Sequence, residues 1–229
     1  MNLGVARMLA RGVESILLLT ADCVVAPTTL AALEDRLSAA PRVGAVGPLL
    51  AHSSARGRVF SAGGRIDRGT WDPGHHRQPG EVDDWDGAGP LACEWLDGAC
   101  VLVRARALRE TGPFDEAYFH YFDDVDLHLR MRSRGWDVEC VPAALAWQEP
   151  GEIRPALWTR NRLRFLARHA PRRVLVRELG RQARNAGRDL RARDHQRAAE
   201  RARGVALFLT RRWGPLGRGR TPATPRAPY

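Results

Sequence analysis

The chain contains no lysine: each of its 36 basic side chains is an arginine. Coding bias alone can produce that usage, so what the charge says about partners lies in where the arginines fall. Cysteine is scarce as well. Cys23, Cys93, Cys100 and Cys140 form no C-x-x-C pair and have no histidine at zinc-finger spacing. That excludes a redox motif and a zinc site of the familiar kinds and leaves small buried thiols as the expectation. Long apolar runs are also missing. Arg7 and Arg11, then Ile16-Leu17-Leu18-Leu19 and Cys23, faintly resemble a secretion signal with a lipid-acceptor cysteine, but Glu14 and Asp22 interrupt it. A signal needs about 7 to 15 uninterrupted apolar residues and a membrane span about 20, so a cytoplasmic protein is expected. No internal repeat is present.

What the chain does hold is a strong charge asymmetry. Residues 151–229 carry 21 arginines and five acids, an excess of 16 positive charges, whereas residues 1–150 carry 15 arginines and 21 acids, an excess of six negative ones. An acidic body with a basic arm suits an arm that meets an anionic surface, either phospholipid headgroups or nucleic acid. Leu163, Phe165, Leu166 and the run Val205 to Leu209 make the arm amphipathic. This favours peripheral contact with anionic membrane, on its inner face, over nucleic acid, which is not expected as a partner. A merely solvated basic helix is the plain alternative.

Hydrophobic periodicity predicts a helix over 3–11 and a buried strand over Ser15 to Leu19. A further helix follows Pro27, capped by the threonines, with Leu30, Leu33 and Leu37 on one face, and a strand runs from Val43 to Leu49. This order is that of a three-layer α/β sheet, in which ligands sit at the carboxyl ends of strands, where Asp22 falls. Residues 52–93 read as a loop-dominated insertion with strand fragments only at Val59-Phe60 and Arg65-Ile66. Beyond it a strand is expected over Ala99 to Val103, a helix over Ala105 to Glu110, and another from about Asp123 to Gly135 with Leu127 and Met131 on one face. An extended segment from Val138 to Trp147 and a helix from Ala156 to His169 complete the pattern. The expected organisation is a catalytic portion at 1–150, a basic helical extension at 151–215 and a disordered tail at 216–229.

Asp123, Asp124 and Asp126 place three carboxylates in four positions, after Asp115 and Glu116 and among Tyr118, Phe119, Tyr121 and Phe122. At a helix start such carboxylates either cap the helix or are kept charged to take a proton or a cation, and the local residues leave both open. Asp22 is equally ambiguous. It either caps the helix after Pro27 or holds a divalent ion against a diphosphate.

The ordered series of motifs resembles the family-2 inverting glycosyltransferases. Asn2-Leu3-Gly4-Val5 and Ile16 to Asp22 are similar to the segment leading into that family's D-x-D-type metal motif, and Trp95-Leu96-Asp97-Gly98-Ala99 to its W-x-x-G-A motif. Gly112 to Glu116, then Phe119, Tyr121 and Phe122 to Leu127, resemble its G-x-F-D-E, F-x-Y and E-D-x-D-L series, and Arg160-Asn161 its following R-N pair. The similarity runs over about residues 2–170, nearest to surface-polysaccharide rhamnosyltransferases.

The resemblance implies an α/β GT-A-like three-layer sandwich with a mostly parallel mixed sheet that lacks its first βαβ strands, followed by the basic helical extension. It implies Asp124 as general base, with Asp123 beside it in place of the usual Glu. Asp22 would contact metal and diphosphate, and Trp95, Asp97 and Gly98 would position the acceptor. The implied reaction moves a sugar from a nucleotide-sugar donor to a glycan or lipid-linked acceptor with inversion, in cell-surface polysaccharide or cell-wall synthesis. A divalent cation, Mg or Mn, is the implied cofactor, although Thr20 and Gln148 stand where the family commonly has further ligands. The alternative is an inactive remnant serving as a binding or scaffold module.

Overall fold

The computed structural model describes residues 1–76 and 80–215. The expected disordered tail lies outside the described residues. Helix α1 (Asn2–Ala10) leads into strand β1 (Ser15–Leu19) and, after a turn holding Asp22, the short β2 (Val24–Val25). Helix α2 (Thr29–Ala39) then precedes β3 (Val43–His52). Thr28 makes no side-chain cap, and Thr29 Oγ instead donates to Leu145 O at 2.5 Å, so the expected threonine capping is replaced by a bond to the sheet. On this helix Leu33 and Leu37 are buried, but Leu30 is exposed.

The segment expected to be mostly loop holds four short strands, β4 (Val59–Ser61), β5 (Gly64–Ile66), β6 (Pro73–His75) and β7 (Leu91–Cys93). Strands β4 and β5 fall on the fragments expected at Val59-Phe60 and Arg65-Ile66, whereas β6 and β7 carry too little alternation to be read from sequence. Order continues with β8 (Cys100–Arg104), α3 (Ala105–Thr111), α4 (Asp123–Ser133) and β9 (Asp137–Gln148). Three helices follow, α5 (Pro155–His169), α6 (Arg172–Arg191) and α7 (His195–Leu209). Pro155 opens α5, where its missing N–H costs nothing, and the Asp194 carboxylate caps α7 by accepting from Arg197 N at 2.9 Å.

The central sheet runs β1-β8-β3-β9-β2, with β4 added beside β3 and β7 beside β9. It is a mixed sheet in which β1, β3 and β9 point the same way. Strand β8 runs against them, and among the described residues the β3–β9 ladder is the parallel pairing. Nine consecutive residues of β3 are buried, the pattern of a strand covered on both faces. One face packs Leu18, Leu49, Val101 and Val103 against Val5 of α1, Leu108 of α3 and Leu127 and Met131 of α4. The other packs Val46, Leu50, Cys100 and Leu102 against Leu33 and Leu37 of α2. Alternation along β8 thus splits its side chains between two helical layers. All four cysteines are free and buried.

The carboxyl-terminal helices do not stand apart from this body. Phe165 and Leu166 of α5 and Val174 of α6 share a core with Tyr118, Phe122 and Val125. Helix α7 lies close on α5 at Gly204, where a Cβ would come within 2.6 Å of Ala156 O, so only glycine allows that approach. Among the described residues no helix is long and apolar enough to cross a membrane.

Candidate active site

A cavity of about 910 Å³ opens where the ends of β1 and β9, the loop before β8 and the start of α4 meet. Asp22, Asp97, Gly98, Asp123 and Asp124 line it together, with Thr20 and Gln148. Residues separated by about a hundred positions are thereby brought to one site.

Asp124 is held from both sides. Its Oδ2 accepts from the Gly98 backbone N–H at 3.0 Å and its Oδ1 from the Val125 N–H at 2.8 Å. Burial, then the nearby charges of Asp123 and Asp97, push its carboxyl up to about 8 despite those two bonds. Burial raises Asp123 and Asp97 as well. Asp97 is fixed by the Ser61 hydroxyl, which itself accepts from Gly63 N at 3.2 Å. Neither Asp123 nor Asp124 caps α4 in the usual way, because the N-cap residue is Phe122, which is left-handed and makes no side-chain cap.

The third carboxylate of the cluster has a different fate. Asp126 is fully buried and accepts from Arg130 Nε at 2.8 Å and from His169 Nε2 at 2.7 Å. Burial acts to raise its carboxyl, but the hydrogen bonds from His169 and Arg130 and the charges of Arg130 and Arg168 outweigh it and leave it lowered. It ties α4 to α5 and does not line the cavity.

Asp22 sits opposite in character. A hydrogen bond with Thr20, and a second with Gln148, outweigh its slight burial and hold it below the usual carboxylate range. Gln148 Nε2 donates to Asp22 Oδ2 at 3.0 Å and to Thr20 Oγ at 3.2 Å. The helix-capping role for Asp22 is therefore not the one it plays.

Trp95 is placed elsewhere. It is buried, its ring lies 5.2 Å from that of His75, and it packs beneath the β5–β6 hairpin against Gly64 without lining the cavity. In this position Trp95 packs against the hairpin and does not itself line the cavity.

The structure also gives jobs to residues that sequence reading left unassigned. Phe119, Tyr121 and Phe122 all have φ near 64°, a strained choice for aromatic residues, in the loop that walls the cavity before Asp123. The Asn161 amide donates to Tyr118 O at 2.9 Å and Tyr121 O at 3.2 Å, and Arg160 Nη2 to Tyr118 O at 2.9 Å and Ala117 O at 3.2 Å. This pair, both buried, clamps the strained loop. The R-N motif marked it, but nothing in the sequence said what it would hold. His128, one turn beyond Asp124, accepts from Leu96 N at 3.3 Å, and burial lowers it to about 4, so it stays neutral and fastens the 95–98 segment to α4.

Residues 4–167 match the family described as "Glycosyltransferase like family 2". The chain belongs to that family. Over 132 residues the chain is 34% identical to the N-acetylglucosaminyl-diphospho-decaprenol L-rhamnosyltransferases of two Mycobacterium tuberculosis strains, CDC 1551 / Oshkosh and ATCC 25618 / H37Rv. The match covers 52% of the chain and 41% of those relatives, less than half their length. Among solved structures, GalNAc-T7 with UDP, GalNAc and Mn2+ aligns at a TM-score of 0.51 and 12% identity, over 73% of this chain and 34% of that one. This similarity shows a GT-A glycosyltransferase fold.

The cavity suits a divalent cation in one specific way. Its rim and floor carry Asp22, Asp97, Asp115, Glu116, Asp123 and Asp124, so a diphosphate needs a countercharge to enter. Among the described residues no three His, Cys, Asp or Glu side chains group as a self-sufficient metal site. Asp22 is the cavity carboxylate that would hold such an ion, which would supply the missing countercharge.

Proposed function

We propose that this glycosyltransferase moves a sugar from a nucleotide-sugar donor to a hydroxyl of a glycan or lipid-linked acceptor, with inversion at the anomeric carbon, in cell-surface polysaccharide or cell-wall synthesis. The observation that carries the reading is the convergence of Asp22, Asp97, Asp123 and Asp124 on one cavity, with Asp124 anchored by two backbone N–H groups. The relatives named for transfer of L-rhamnose to a diphospho-decaprenol acceptor support it.

In this mechanism Asp124 takes the proton of the acceptor hydroxyl as its oxygen bonds to the anomeric carbon. The bond from that carbon to the diphosphate breaks on the opposite face, and the nucleoside diphosphate leaves with the electron pair. A base raised to about 8 is well matched to removing a hydroxyl proton near neutral pH. The neighbouring Asp123 and Asp97 carboxyls act to raise Asp124 and so favour the proton's arrival there. Asp97 and Gly98 shape the acceptor side, and Asp22 faces the diphosphate. Asp22 would hold a divalent cation, Mg or Mn, which would supply charge stabilisation to the departing diphosphate.

The carboxyl-terminal helices suit peripheral membrane contact. Arg173, Arg177, Arg184, Arg188 and Arg191 are all exposed on one face of α6, a stripe about 27 Å long at 1.5 Å per residue; Arg177 donates to Gly69 O and its charge reaches Asp67. Each such base near an anionic leaflet contributes about 1 kcal/mol.

The test is sugar transfer by the intact protein to a lipid-linked acceptor, with stereochemistry read by NMR. Product of inverted configuration supports the reading. Donor binding without transfer would instead indicate a binding module. Co-sedimentation with phosphatidylglycerol vesicles that persists after all five α6 arginines become glutamine would refute the membrane face.

A further inference from the structure

A second cavity, of about 550 Å³, lies against the active site and has no part in the mechanism above. Three arginines and four apolar side chains build it: Arg164, Ala167 and Arg168 of α5, Arg211, and Phe208, Leu209 and Trp213. Arg164 lies 4.5 Å from the Trp213 ring centroid and 5.3 Å from that of Tyr118, and its Nε is buried without a hydrogen-bond partner. Phe208 and Trp213 meet edge to face at 6.1 Å, while Leu209 is left 64% exposed. The lining is thus cationic on one side and apolar on the other.

Its charge is not fully compensated from within. Arg164 and Arg168 share the Asp115 carboxylate at 2.6 and 2.9 Å, and Arg168 also approaches Asp126 at 3.4 Å. Arg211 has no acid partner among the described residues and extends from a left-handed backbone at φ 54°. The wall between the two cavities is thin. Asp115 lines the active-site cavity, as do Gly214 and Pro215, which follow directly on Trp213. Gly214 is pinned there by Arg160 Nη1, which donates to its carbonyl at 2.6 Å, and by its own N–H to Ala117 O at 3.1 Å.

A ligand that suits both sides is an amphiphile with a strongly anionic head and a flexible hydrocarbon tail. We propose that this cavity is the anchor site for a prenyl diphosphate, the lipid end of the acceptor, with Arg168 and Arg211 holding the diphosphate. Phe208, Leu209 and Trp213 receive the first isoprenoid units. The adjoining wall then places the sugar carried by that diphosphate at the active-site cavity. This rests on the acceptor class proposed above, although binding at the cavity is measurable without sugar transfer.

The experiment titrates the intact protein with farnesyl diphosphate, inorganic diphosphate and farnesol by isothermal calorimetry, without donor or divalent ion. Farnesyl diphosphate is expected to bind at least tenfold more tightly than either of the others. Arg211→Gly, which keeps the left-handed backbone, and Leu209→Asn, at an exposed position, should each weaken it at least fivefold. Equal affinity for inorganic diphosphate would overturn the lipid assignment and leave a bare anion site. Unchanged binding in both variants would overturn the location. Asp22→Asn separates the two claims, because it should impair transfer and leave farnesyl diphosphate binding intact. A protein that transfers no sugar yet keeps Arg211-dependent binding sinks the transferase reading alone.

Discussion

Gly98 donates its backbone N–H to Asp124 Oδ2 at 3.0 Å, and a Cβ at Gly98 would stand 3.3 Å from the Asp124 Cβ. The loop before β8 and the first turn of α4 meet through this contact, which sets where the candidate base points. Gly98→Ala should therefore displace Asp124 by a few tenths of an ångström. Transfer is expected to fall, because misplacement of a catalytic group is costly. Thermal denaturation should show a nearly unchanged melting temperature; a large drop in it with the residual activity per folded molecule intact would assign Gly98 to folding alone.

The charge next to Asp124 has a sign that can be tested. Asp124 must be deprotonated to act, so kcat/KM of the free enzyme should rise through about pH 8. Asp97→Asn removes one of the charges that raise it and should move the rising limb to lower pH. A limb that stays in place would show that Asp97 does not sense Asp124.

Stability should run against function at the same residue. The folded-state carboxyl of Asp124 lies at about 8, above its ordinary value of 3.8, so the folded protein binds the extra proton. Its contribution is fully present below about pH 4 and is lost as the pH rises through about 8. Asp124→Asn should consequently raise the melting temperature at pH 8 and have little effect at pH 4. Differential scanning calorimetry at the two pH values reads this directly.

Asp126 should do the reverse. Its lowered carboxyl contributes stability above about pH 4 that is lost as the pH falls through its folded value. Asp126→Asn leaves Arg130 and His169 facing a neutral group in a buried site, a loss of about 3 to 5 kcal/mol. Urea unfolding at pH 7 measures it, and a loss under 1 kcal/mol would contradict the ion-pair account.

These two aspartates show how far the sequence can be read. Asp123, Asp124 and Asp126 are one acidic run in the chain, and helix geometry alone cannot say that the first two reach a cavity while the third turns inward to His169. The order of Asp22, Asp97 and Asp124 was legible through the motif series, as were nearly all of the long strands and helices, whose apolar periodicity is a local property. The packing of Trp95, the exposure of Leu30 and the short strands β6 and β7 were not. Their placement depends on what arrives from distant parts of the chain, such as the hairpin that covers Trp95. The Arg160-Asn161 pair lies between these cases, visible as a motif but meaningful only once the strained carbonyls of residues 117–121 are beside it. Asn161→Ala should cost about 1 to 3 kcal/mol by stranding those carbonyls.

The central claim is that Asp124 removes the acceptor proton, and the direct measurement is single-turnover sugar transfer by the intact protein with Asp124→Asn. The account predicts a rate lower by about 10² to 10⁴-fold, with donor binding unchanged. Transfer at the wild-type rate in that variant would contradict it.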